Sequence, residues 1–148
     1  MTFRPRHLLP LIFAIFAPVP GPSYNFGREK QRAEALIPSL GHASAVRDGD
    51  TIHVSGVVAR GATMDEQVAG VYAELRRTLA RFGATLDDVV KETAFTVDVD
   101  ALRGTNGVRN DAYGLESPAA TRVQTARLFE ESALVEIAVV ARVPRTTS

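Results

Sequence analysis

Near the end of the chain, Leu134 to Val143 reads as a strand in which Val135, Ile137, Val139, Ala141 and Val143 share one face, because successive strand side chains point to opposite sides. A face so uniformly apolar has to lie under other elements. The opposite face reads Leu134, Glu136, Ala138, Val140 and Arg142. A solvated sheet face would be polar throughout, whereas this one is apolar around a single carboxylate and needs covering too. A second subunit is the expected cover, which places Glu136 in or beside a subunit interface.

The elements that could pack on the first face are legible upstream. Thr63 and Glu66 have capping-box spacing, with the threonine hydroxyl accepting from the backbone and the glutamate reaching back. Val68, Val71, Tyr72, Leu75, Leu79 and Phe82 then recur at helical spacing up to Gly83, a C-terminal stop. Arg76, Arg77 and Arg81 lie off that stripe, as a solvated face would. Ala43 to Val58 predicts two extended segments around the turn Asp48-Gly49-Asp50. Val89 to Val99 reads as a strand, Thr105 to Tyr113 as a helix ended by Gly114, and Thr121 to Leu128 as a strand adjacent to the last one. Strands alternating with helices predict an α+β (α/β) mixed sheet with two helices packed on one face.

At 148 residues the chain is long enough for one domain with a single core. Lys plus Arg and Asp plus Glu number 17 each, so no global field draws it to nucleic acid. The start differs from the rest. Arg4, Arg6 and His7 precede Leu8 to Val19, which carries no charge. That order matches a signal peptide ending near Ser23, and it falls short of the ~20 residues that span a bilayer. The plainer alternative is an apolar extension from an upstream start codon. The expected organisation is a leader over 1–23, a linker with at most a short helix over 24–40, a domain over 41–144 and a tail over 145–148. The product is then periplasmic or secreted if the leader is cleaved, and cytoplasmic otherwise.

Cysteine is absent, so thiol catalysis and disulfides are excluded. His7, His42 and His53 lack metal-ligand spacing, Gly104 and Gly107 complete no phosphate-binding fingerprint, and no nucleophile elbow is present. No metal or cofactor is expected.

One order of words is more specific than any single word. Ala45 to Gly56 (AVRDGDTIHVSG), Thr85 to Thr93 (TLDDVVKET), Pro118 to Val123 (PAATRV) and Leu134 to Ile137 (LVEI) occur in the sequence of the Rid family (YjgF/RidA), which this chain resembles over about Gly41 to Val143. The resemblance implies a chorismate-mutase-like fold of the bacillus type, a homotrimer with clefts between subunits, and cofactor-free hydrolysis of 2-imino or 2-enamino acids to keto acids and ammonia. Matched by position, Glu136 is the carboxylate that orients the attacking water, and Ser55, Gly56 and Asn110 line the substrate site. Each has a plain alternative: a tight strand exit for Ser55-Gly56, a helix cap for Asn110, an ion pair for Glu136.

The departures are as informative. Ala120 stands where the family's deaminases carry a carboxylate-binding arginine, His42 where many have tyrosine, Val57 where glutamine is usual, and the loop Val58 to Thr63 is short. A guanidinium is the group best shaped to hold a carboxylate. Arg122 shares a strand face with residue 120 and is the candidate replacement, unless it serves only to neutralise Glu136 or a neighbouring subunit's acid. Three functions stay open: an imine or enamine deaminase, a non-catalytic trimer that binds small metabolites, and an aminomuconate-type deaminase.

Overall fold

The computed structural model describes residues 29–31 and 41–143. The expected leader and the tail lie outside them, as does most of the expected linker. Within that linker, Glu29–Gln31 forms a short strand, β1, paired antiparallel with β2 (Ala45–Asp48).

β2 turns into β3 (Thr51–Val57) with Asp48 opposite Thr51, and Gly49 between them takes φ +65°, which only glycine adopts freely. α1 (Met64–Ala80) follows, and its capping box forms as expected: Glu66 N donates to the Thr63 hydroxyl at 3.3 Å, and the Glu66 carboxylate accepts from Thr63 N. Its buried stripe is Val68, Val71, Tyr72, Leu75 and Leu79, extended by Met64, Gln67 and Thr78. Arg76, Arg77 and Arg81 are exposed. A 3-10 turn (Leu86–Asp88) leads into β4 (Val89–Thr96). This strand ends earlier than its apolar run, because Asp98 accepts from the backbone of Asp100 and Ala101 and starts a helix, α2 (Val99–Gly104). α3 (Asn106–Tyr113) stops at Gly114, φ +64°, and β5 (Ala119–Gln124) and β6 (Val135–Arg142) complete the fold.

The six strands form one mixed sheet in the order β1-β2-β3-β6-β4-β5. β6 is therefore central, antiparallel to both β3 and β4, and β5 runs parallel to β4 at the sheet edge. The expected adjacency of the last two strands is not formed, since β4 lies between them. A parallel neighbour needs a crossover of a dozen or more residues, and α2 with α3 supply it. The helices cover one face, where Val135, Ile137, Val139 and Ala141 of β6 are buried against Ile52, Val54, Ala94 and the α1 stripe.

Candidate functional site

Which side of the sheet each candidate faces follows from β4. Ala94, buried under the helices, is in register with Arg122 and Ile137, whereas its neighbour Phe95, partly exposed, is in register with Val123 and Glu136. Partners in register share a face. Arg122 and Ala120 therefore belong to the helix-covered side and Glu136 to the open side. Within one subunit Arg122 does not neutralise Glu136, and the two do not share a cleft.

The open side gathers the first group. A β-bulge between Val54 and Val57 sets Ser55 and Gly56 against β6 out of simple register. The half-buried Glu136 carboxylate lies directly on Gly56: a Cβ there would collide with its Oε1 and stand 2.6 Å from its Cδ. Ser55 Oγ donates to the Ala43 carbonyl at 2.7 Å and so fixes the approach to the bulge, beside the exposed His42. Glu136 makes no ion pair with any described residue. Exposed Phe95 and Val123 flank this group on the same face.

The second group sits at the β5 edge. Arg122 donates through Nη1 to Asn106 Oδ1 at 2.8 Å and makes no ion pair among the described residues. Asn110 is not brought there. It is exposed one turn further along α3, and its carbonyl accepts from Gly114 N at the helix end. Ala120 is exposed on the same strand face as Arg122.

Under Arg122 lies a cluster that strand periodicity did not reveal. Glu92 is 1% exposed; its Oε1 accepts from Arg109 Nε at 2.9 Å and its Oε2 from the Tyr72 hydroxyl at 3.0 Å. The Arg109 guanidinium stacks on Tyr113, 5.1 Å from the ring centre, and Tyr113 packs edge-to-face on Tyr72. Burial opposes charge on Arg109, but the bond to Glu92 and its negative charge outweigh it and raise the guanidinium pKa. Burial, then the Glu92 charge, pushes both tyrosines far above their usual range. Tyr72, Glu92 and Arg109, with Arg122 and Thr105, border a recess of about 10 Å³, room for one water molecule.

Among the described residues no group of three or more His, Asp or Glu could hold a metal, and no helix is long and apolar enough to cross a membrane. The arrangement offers chemistry of another kind: a carboxylate on one side and a guanidinium on the other, neither in an ion pair among the described residues.

Residues 33–143 match the family model described as Endoribonuclease L-PSP. A RutC family protein of Saccharolobus solfataricus is 28% identical over 109 residues, which cover 68% of this chain and 86% of that protein. A RutC family protein of Pyrococcus abyssi is 28% identical over 108 residues, covering 68% and 84%. Among solved structures, a YjgF/YER057c/UK114 family member from Mycobacterium tuberculosis superposes with a TM-score of 0.74 at 28% identity, over 78% of this chain and 99% of the other. A YjgF family protein from Neisseria meningitidis gives 0.72 at 26% identity, over 82% and 98%.

Proposed function

The chain belongs to the endoribonuclease L-PSP family, the YjgF/RidA proteins, and from that premise we propose that it hydrolyses 2-imino or 2-enamino acids in clefts between the subunits of a homotrimer. The observation that carries this reading is the Glu136 carboxylate, unpaired and seated on Gly56 on the open sheet face. A carboxylate so placed can hold a water and accept its proton as the oxygen attacks the imine carbon. The resulting C–O bond gives a carbinolamine; transfer of a proton to nitrogen then lets the C–N bond break, releasing ammonia and the keto acid. Arg122 of an adjoining subunit is assigned the substrate's carboxylate, in place of the guanidinium absent at Ala120. With equal numbers of acidic and basic side chains the chain offers nucleic acid no general attraction, so small molecules are the favoured ligands.

Ala120 favours one second reading, a trimer that binds small metabolites without turning them over. Ammonia and keto-acid release from freshly generated 2-imino acids decides between them. The expected result is turnover weaker than in arginine-bearing relatives. Arg122→Ala is expected to impair binding of anionic substrates by roughly one to two powers of ten, the loss of a charged hydrogen bond. Glu136→Gln is expected to lower turnover with assembly intact, and Ala120→Arg to raise activity. No release above buffer in the parent or in any of these variants leaves the binding protein as the function.

A further inference from the structure

α3 grips the β5 edge at two places. Asn106 accepts from Arg122, and three residues later, on the same helix side, Arg109 reaches the segment that leads into the strand: its Nη1 donates to Ser117 Oγ at 3.2 Å and its Nη2 approaches the Pro118 carbonyl at 3.5 Å. The third nitrogen, Nε, is held by Glu92, a carboxylate on the central side of β4 that solvent does not reach. β5 has two further side-chain ties, Lys91 Nζ of β4 donating to Thr121 Oγ1 at 2.6 Å and Val99 N of α2 donating to Gln124 Oε1 at 3.1 Å. It pairs with one neighbour only, and every residue in it except Arg122 is exposed. A buried ion pair is a costly way to stabilise a core, since apolar residues of similar size serve as well or better. Its directional bonds do something packing cannot: they fix the segment at Ser117-Pro118 relative to α3.

We propose that Arg109, locked by Glu92, is a positioning residue that sets β5 against α3 and thereby holds the Arg122 guanidinium where an anion is bound. The proposal rests on the reading of Arg122 as the anion-holding group, and it extends that reading to a side chain that touches no substrate. Arg122 approaches its ligand from an edge strand, so its reach depends on any freedom that strand keeps relative to α3. Four arginine and glutamate atoms in fixed bonds remove that freedom before the ligand arrives.

The test uses the full chain and the double variant Glu92→Met/Arg109→Met, which removes both charges and spares the core an unpaired one. It is compared with Arg109→Lys, which keeps the pair with Glu92 but cannot also reach Ser117 and Pro118. Two readouts are taken. The first is the Arg122 side-chain N–H resonance, identified by its loss in Arg122→Ala. The second is the split between KM and kcat for a freshly generated 2-imino acid. The expected result is a double variant that folds with the parent's far-ultraviolet circular dichroism, somewhat less stable because the Tyr72 hydroxyl has lost its acceptor, and whose Arg122 resonance collapses onto those of freely exposed arginines. Its KM rises roughly tenfold, as for one lost charged hydrogen bond, with kcat within about twofold. Arg109→Lys is expected to show the same loss. An unchanged Arg122 resonance in a folded double variant overturns the proposal, and so does a parent-like KM. Should the parent itself lack turnover, the deaminase reading fails while the resonance still decides the positioning role.

Discussion

At the scale of single residues, Gly56 and Glu136 form the tightest dependence in the molecule. Gly56→Ala places a methyl group in the volume of the carboxylate, so the acid must swing away from the bulge. We expect turnover to fall by at least as much as in Glu136→Gln, with unchanged far-ultraviolet circular dichroism; parent-like kinetics would show that the carboxylate's seat is immaterial. Tyr72 and Tyr113 supply a second expectation. Burial and the Glu92 charge raise both above the ordinary value of 10.0, so each phenol favours the folded state fully below that value, and this contribution declines as pH rises toward the folded pKa. An absorbance titration should find their phenolate signal delayed until the protein unfolds in alkali. Two tyrosines ionising normally in a folded protein would contradict the cluster. Neither Glu92 nor its partners could be read from periodicity. Counting alternate residues inward from Val89 puts Lys91 and Phe95 inside and Glu92 outside, but the register shift between Val89 and Lys91 reverses the phase. Asn106 and Asn110 lie one turn apart on α3, and the position of β5 decides that Asn106 meets Arg122.

At the scale of elements, local signals are legible in the sequence and long-range pairing is not. The capping box of α1, its apolar stripe, the Gly49 turn and the Gly114 stop depend on residues within one or two turns of each other, where side-chain chemistry acts directly. The place of β5 beside β4 depends on a crossover whose outcome no nearby residue encodes. Gln67 shows how an element is secured once packed. Although it lies in the buried stripe of α1, its amide donates to the carbonyls of Gly61 and Ser132 at 3.0 Å each and accepts from Leu134 N at 2.8 Å. It thus ties the loop before α1 to the entry of β6. Gln67→Leu keeps the volume and strands three backbone groups, each costing about 1–3 kcal/mol if it stays dry. Chemical denaturation is expected to show a loss of a few kcal/mol in total, with an unchanged slope. A loss below about 0.5 kcal/mol would mean that water replaces the amide.

At the scale of the whole molecule, the open sheet face is the feature that a lone subunit leaves unresolved. Exposed Phe95 and Val123 share that face with Glu136. Light scattering at micromolar concentration is expected to give the mass of a trimer, and a stable monomer would remove the basis for a shared cleft. The separation of Arg122 and Glu136 onto opposite sides of one sheet has a genetic consequence. If every cleft borrows its acid from one chain and its guanidinium from the next, two defective alleles can repair each other. Subunits carrying Glu136→Gln and subunits carrying Arg122→Ala, each impaired by itself, should regain a fraction of the parent's activity when unfolded together and refolded as mixed trimers. That fraction comes from clefts that happen to receive both intact partners. A single chain bearing both substitutions should gain nothing from mixing with itself, and in a cell the two single alleles would complement each other although they affect the same gene.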